Sequence, residues 1–291
     1  MFKGSFVALI TPFRNGAVDE AAFQEHVAWQ IGQGTHGLVP IGTTGECPAL
    51  EEAEQERLIA LTAEVAKGRR PVIAGTGFNS TTHTIAATRI AKAAGADAAL
   101  IVCPYYNKPT QEGLYQHFKT VHDAVDLPIV IYNIPGRSAV DMSNATLARL
   151  AKLPNIVGVK DATNDLARPL RMRVEIDGEF SLMSGEDATA VAYLAQGGDG
   201  VISVTANVAP GLCSEMHEAW QKGDLATVRR INQRLIPLHD ALFVETSPAP
   251  VKYAASLLGR CTAEVRQPLW QTTPETQEKV RAAMRGAGLI N

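Results

Sequence analysis

A single lysine closes the apolar run Ile156-Val157-Gly158-Val159-Lys160, and the chain turns polar at once in Asp161-Ala162-Thr163. A short apolar run without alternation reads as a strand buried on both faces. A lysine at the end of such a strand is partly removed from water, which penalises its ammonium form and lowers its pKa. An amine brought from about 10.4 to about 7–8 is nucleophilic at neutral pH. It can attack a ketone and form a Schiff base. The other reading of Lys160 is structural, a long side chain reaching past the strand end towards a carboxylate such as Asp161.

The elements that must position this lysine are legible along the chain. Apolar strands are expected at Gly4–Pro12, Gly37–Gly42, Pro71–Gly75, Ala98–Cys103, Pro128–Tyr132, Ile156–Lys160, Phe180–Met183 (weak) and Gly200–Ser203. Helices are expected between them, among them Asp19–Gln33, Glu51–Lys67, Ser80–Ala94, Gln111–Val125, one after Ser143 and Asp187–Gln196. Strand and helix alternating eight times predict parallel strands joined by right-handed crossovers, closed into a (β/α)8 TIM barrel. A doubly wound open sheet is the second choice, but its Gly-x-Gly-x-x-Gly turn is missing after the first strand. Beyond residue 224 the pattern becomes helical, with segments at Leu225–Phe243, Ala249–Leu258 and Glu275–Met284. The expected division is a catalytic barrel over 1–224 and a C-terminal helical appendage over 225–291.

Composition removes several function classes. The 291 residues carry a net charge of −3 and are 20% charged, which offers no basic footprint for nucleic acid or an anionic membrane. No apolar stretch approaches the length of a membrane span and no leader is expected at Met1-Phe2-Lys3-Gly4-Ser5. Cys47, Cys103, Cys213 and Cys261 form no Cys-x-x-Cys pair, so a reducing, cytoplasmic setting is expected. The seven histidines are scattered, and no catalytic metal cofactor is expected.

In a barrel the chemistry sits at the C-terminal ends of the strands. Those ends carry Thr43-Thr44-Gly45-Glu46, Tyr105-Tyr106-Asn107-Lys108, Tyr132 through Arg137, Lys160 and Ser184-Gly185-Glu186-Asp187. Individually they have structural readings: the threonines as turn hydroxyls, Tyr132 as a core ring, Tyr105 and Tyr106 as interface aromatics, Arg137 as a surface charge. Cys47 reads as an inert thiol. Lys108 and Lys252 are expected in loops and are poorer Schiff-base candidates. Together the groups match a reaction. A Schiff-base lysine needs a proton carrier, which a phenol can be. An α-keto acid needs donors for its carboxylate, which threonine hydroxyls and backbone N–H groups supply. A second, acidic substrate needs a cation, and arginine binds carboxylates bidentately.

Gly42-Thr43-Thr44-Gly45-Glu46, Tyr132-Asn133-Ile134-Pro135-Gly136-Arg137 and Gly158-Val159-Lys160-Asp161 resemble the motifs of the dihydrodipicolinate synthase family. The resemblance runs from Gly4 at least through Ser247-Pro248-Ala249-Pro250-Val251-Lys252. It implies that Lys160 forms a Schiff base with pyruvate and that Tyr132, Thr43 and Tyr106 relay protons, with Tyr106 reaching in from a neighbouring subunit. It further implies that Thr44 holds the pyruvate carboxylate, that Gly185 and Ile202 line the pocket, and that Arg137 binds L-aspartate 4-semialdehyde. The implied assembly is a homotetramer, a dimer of dimers, and the implied product 4-hydroxy-tetrahydrodipicolinate, on the route to diaminopimelate and lysine. Tyr105 and Asn79 match the region where lysine binds in inhibited relatives. Glu52, Gln55 and His83 differ from the residues of well-inhibited enterobacterial members, so weak or absent inhibition is expected. Two other readings stand beside this one. One is a related aldolase acting on a sugar acid, like N-acetylneuraminate lyase or a keto-deoxy-gluconate aldolase; the other is a small-acid sensor with an inert pocket.

Overall fold

A computed structural model of the chain describes residues 2–291. Its principal sheet has eight strands: β1 (Gly4–Ala8), β2 (Gly37–Val39), β3 (Ile73–Gly75), β4 (Ala98–Val102), β5 (Ile129–Asn133), β6 (Ile156–Asp161), β7 (Ser181–Ser184) and β8 (Gly200–Ser203). Hydrogen-bonded neighbours run in the order β2-β1-β8-β7-β6-β5-β4-β3. Parallel ladders and a strand order that follows the chain are those of a (β/α)8 barrel. Helices intervene: α1 (Glu20–Gly32), α2 (Glu52–Ala66), α3 (Thr81–Ala93), α4 (Gln111–Ala124), α5 (Asn144–Leu150), α6 (Arg168–Glu175), α7 (Ala190–Ala195) and α8 (Pro210–Gln221). Three more follow, α9 (Leu225–Ala241), α10 (Ala249–Leu257) and α11 (Pro274–Gly286).

The strands read as apolar runs because they are covered on both faces; all five residues of β5 are buried. Helix starts follow capping chemistry. Asp19, Ser80, Thr110, Ser143, Asp224 and Thr273 each accept a backbone N–H three residues on. The weak seventh strand is fully buried, and α6, unforeseen in the sequence, follows β6. A small hairpin pairing Phe13–Arg14 with Ala17–Val18 was also unforeseen, its strands being only two residues each. Lys252, placed by the sequence both in a loop and within the helical segment Ala249–Leu258, lies inside α10, so the loop expectation is corrected. Pro248 and Pro250 do not prevent this helix, because proline is tolerated in a helix's first turn, where its missing N–H is no loss.

The chain falls into two compact units. The unit built on Val72–Ile202 has a core of Ile101, Ile131, Phe118, Leu147, Met172, Leu182 and their neighbours. In α4 the buried Leu114, His117, Phe118 and Val121 recur at helical spacing and place one face on that core. The unit formed by Gly4–Pro71 and Ser203–Asn291 is knit by Asn207. Its amide donates to Ala8 O at 2.7 Å, and its Oδ1 accepts Ile10 N at 3.0 Å. Gly37 is obligatory there, because a Cβ would stand 1.9 Å from the Phe6 ring. No helix of the described residues is long and apolar enough to cross a membrane.

Candidate active site

Register brings the central pair together. Tyr132 on β5 lies opposite Lys160 on β6, and Lys160 in turn opposite Met183 on β7. The Lys160 Nζ sits 4.3 Å from the centre of the Tyr132 ring. Both side chains are buried, Lys160 at 5% exposure. Burial pulls the Lys160 ammonium down to about 8, opposed by the charges of Glu186 and Asp187 and assisted by that of Arg137. The same burial raises Glu186, against the pull of Lys160. Lys160 is thus an amine mostly protonated at neutral pH but with an accessible neutral fraction that an ordinary lysine lacks, resting on a phenol.

Gly185 follows β7 directly. Its N–H donates to Asp161 O at 2.6 Å, and a Cβ there would come within 2.7 Å of the Ala162 Cβ, so only glycine permits the approach. Ile202 is buried in β8. Arg137 stands exposed on the turn Pro135–Ser138, held by the Ser138 hydroxyl donating to Ile134 O and Val140 O, each at 2.9 Å.

Behind Lys160 lies a polar array that the sequence reading missed. Asn133, next to Tyr132, donates to Asp141 Oδ1 at 2.7 Å and accepts Met142 N at 3.0 Å. Arg168 donates to the same Asp141 oxygen at 3.2 Å and to Met142 O, and its Nε lies 3.6 Å from Asp161 Oδ2. Arg168 therefore ties the ends of β5 and β6 through the two residues that follow Tyr132 and Lys160. Burial raises the Asp161 carboxyl, and Arg168 opposes the rise. The available signal was Asp161 itself, a carboxylate at the end of a buried strand that needs a cation. Glu186 and Asp187 stand at a strand end with no role evident in the sequence, yet both act on the Lys160 charge.

Tyr106 is 89% exposed and does not join the Tyr132–Lys160 pair. Its φ of 72° lies in the left-handed region, rare for a tyrosine and a mark of local strain. Next to it Asn107 donates to Asn79 O at 2.8 Å, fixing the Tyr105-bearing loop to the start of α3. The Cys47 thiol is pushed up to about 11 by burial, which suits an inert group.

Thr43 and Thr44 belong to the other compact unit. The loop carrying them is tightly wound, with Gly45 N donating to Gly42 O and Glu46 N to Thr43 O, both at 3.1 Å. Thr44 is buried and Thr43 half-buried.

The model of the dihydrodipicolinate synthetase family matches residues 1–287. The chain belongs to that family. The 4-hydroxy-tetrahydrodipicolinate synthase of Rhodospirillum centenum is 68% identical over 290 residues, covering 100% of both chains. That of Parvibaculum lavamentivorans is 60% identical over 291 residues, again covering 100% of both. Among solved structures, the chloride-inhibited dihydrodipicolinate synthase of Acinetobacter baumannii, complexed with pyruvate, aligns with a TM-score of 0.97 at 45% identity and covers 100% of both chains. As a dihydrodipicolinate synthetase family member the chain has the barrel that its alternating pattern predicted, and its lysine, tyrosine and Gly185 stand at consecutive strand ends.

Proposed function

We propose that the chain catalyses the condensation of pyruvate with L-aspartate 4-semialdehyde to 4-hydroxy-tetrahydrodipicolinate. The observation that carries this reading is the buried, weakly basic Lys160 on the Tyr132 ring, in a chain 68% identical over its full length to a 4-hydroxy-tetrahydrodipicolinate synthase. The neutral Nζ attacks the pyruvate ketone, and the carbinolamine loses water to leave an iminium. Loss of a methyl proton gives the enamine, whose carbon attacks the aldehyde of the second substrate. The amino group of that substrate then displaces Lys160 and closes the ring.

Each addition and elimination moves a proton, and Tyr132 is the carrier placed beside the amine; Thr43 and Tyr106 extend the relay. Thr44 holds the pyruvate carboxylate, with Gly185 and Ile202 lining the pocket. Arg137 takes the semialdehyde carboxylate, as a guanidinium on an exposed turn can without being buried unpaired. In this reading Tyr106 serves a neighbouring subunit, which agrees with its exposure and strained backbone, and the assembly is a cytoplasmic homotetramer built as a dimer of dimers. Tyr105 and Asn79 form the region for an effector, with weak or absent response to lysine.

The test is reductive trapping. Incubation with pyruvate and sodium borohydride, then peptide mass spectrometry, is expected to place the adduct on Lys160. An adduct on another lysine, or none, overturns the assignment.

A further inference from the structure

The loop that carries Thr43 and Thr44 ends in a side chain with no part in the reaction as described. Glu46 is completely buried, and so is the side chain it meets: Lys252 Nζ donates to Glu46 Oε1 at 2.7 Å, both side chains at 0% exposure. The second carboxylate oxygen accepts Arg266 N at 2.9 Å. Glu46 is thus fixed at two points, by α10 and by the segment leading to α11.

The surroundings make the clamp rigid. Lys252 Nζ lies 4.1 Å from the centre of the Phe13 ring, and the Arg266 guanidinium 4.4 Å from the same ring. Arg266 forks onto Glu54 at 2.5 and 2.6 Å and donates to Ala49 O at 3.0 Å. Two acids and two bases balance in charge around one aromatic ring. The backbone they anchor is strained. Glu46 has φ 58° and Ile41, at the other end of the loop, φ 48°. Left-handed conformations in non-glycine residues persist only where the surroundings over-determine them. The Thr11 hydroxyl adds one restraint, donating to Gly45 O at 2.7 Å. The buried carboxylate is the other.

Stability does not explain the arrangement. Taking both charges out of water offsets most of their attraction, and well-packed apolar replacements of such pairs are often equally stable. A buried pair does fix geometry, since each partner tolerates one orientation. Thr44 lies two residues before Glu46 in this wound loop, so a shift of the carboxylate moves the hydroxyl.

We infer that Lys252, acting through Glu46, is a positioning residue that sets the aim of Thr44 at the pyruvate carboxylate. The inference rests on the assignment of Thr44 proposed above. Lys252 touches no substrate; its effect is on how much pyruvate is needed to load Lys160.

The test measures the pyruvate concentration that half-saturates borohydride trapping on Lys160, with no second substrate, alongside the thermal midpoint. In the double variant Glu46→Gln/Lys252→Met both charges are gone, so folding is expected to hold within a few degrees while half-saturation rises about tenfold or more, the scale of a small misplacement. Thr44→Val alone is expected to rise similarly. The triple variant is expected to rise far less than the product of the two, because clamp and hydroxyl act as one unit. A half-saturation equal to the parent's in the double variant overturns the inference, and so does multiplication of the two effects in the triple. If the double variant does not fold, Glu46→Asp keeps the charge and shortens the tether by one methylene. A rise of about tenfold supports the inference and a parental value overturns it. The underlying assignment fails differently: Thr44→Val would then be parental whatever the clamp does, and absence of trapping in the parent would remove the Schiff base itself.

Discussion

Two lysines in this chain are buried against aromatic rings, and they have opposite fates. Lys160 rests 4.3 Å from the centre of the Tyr132 ring, and Lys252 4.1 Å from that of Phe13. Burial weakens both as bases. Lys252, however, is hydrogen-bonded to Glu46 at 2.7 Å, whereas Glu186 and Asp187 reach Lys160 as charges acting through space. A carboxylate in contact opposes the loss of the ammonium and turns the lysine into a fastener. A carboxylate held off leaves an amine that can react. The rings differ in the same sense. Lys160, the proposed nucleophile, has a phenol beside it that can carry protons, and the fastener has a phenyl. On the proposed reading, burial alone does not make a nucleophile; burial with the carboxylates held off does.

The sharpest way to break this comparison is to make the first environment resemble the second. Tyr132→Phe keeps the ring under Lys160 and removes only the hydroxyl. It is expected to lower kcat by about 10²–10⁴, the usual contribution of a positioned acid–base group. Borohydride trapping under long incubation should still mark Lys160, because the amine is intact. A kcat within twofold of the parent would mean that the phenol is only a platform, as Phe13 is for Lys252. Next in size is Lys252→Met, which strands the Glu46 carboxylate in a dry interior. Breaking a buried pair from one side is expected to destabilise the fold by about 3–5 kcal/mol, read from a urea midpoint. Co-replacement with Glu46→Gln should return most of that loss. A single variant as stable as the parent would show that Glu46 had found water or a proton, and that the fastener reading is mistaken.

How far these roles could be read from the chain depends on the range of the physics involved. The eight strands and the helix starts are local matters, decided by apolar runs and capping side chains, and Lys160 was found because a strand end is visible as a change of polarity. The Tyr132–Lys160 contact needed the register between β5 and β6, which the barrel pattern implies only in outline. The Arg168–Asp161–Asp141 array and the Glu46–Lys252 clamp were not legible. Their partners are distant or unremarkable in sequence, 206 residues apart in the case of the clamp, and nothing local says which lysine a buried glutamate will meet. Lys252 falls in the expected helical segment Ala249–Leu258 and yet is also expected in a loop; the helix is what forms, with its prolines where a helix begins. Tyr106 shows the opposite case. A resemblance gives it a role in a proton relay, while in the fold it stands 89% exposed and apart from the Tyr132–Lys160 pair.

The smallest effect is also the one that separates the two lysines by sign. Burial lowers Lys160 from 10.5 to about 8. Between those values the unfolded chain holds a proton that the folded chain does not, so stability rises with pH across that window. Below about pH 8 both states are protonated, and the cost of the buried ammonium is borne in full. Lys160→Met removes that charge and keeps a side chain that packs on the ring. At pH 7 the variant is expected to be more stable than the parent, by up to about 3 kcal/mol, the free energy of a shift of that size. The gain should shrink as the pH is raised from 8 through 10.5, above which the parent's amine is neutral in both states. The check is a pair of urea midpoints for parent and variant, at pH 7 and near pH 10. A loss of stability at pH 7, as expected for Lys252→Met, would place Lys160 among the fasteners. A gain that fades with rising pH would show that the fold tolerates an unpaired lysine at a cost, which is intelligible only if the amine is needed for chemistry.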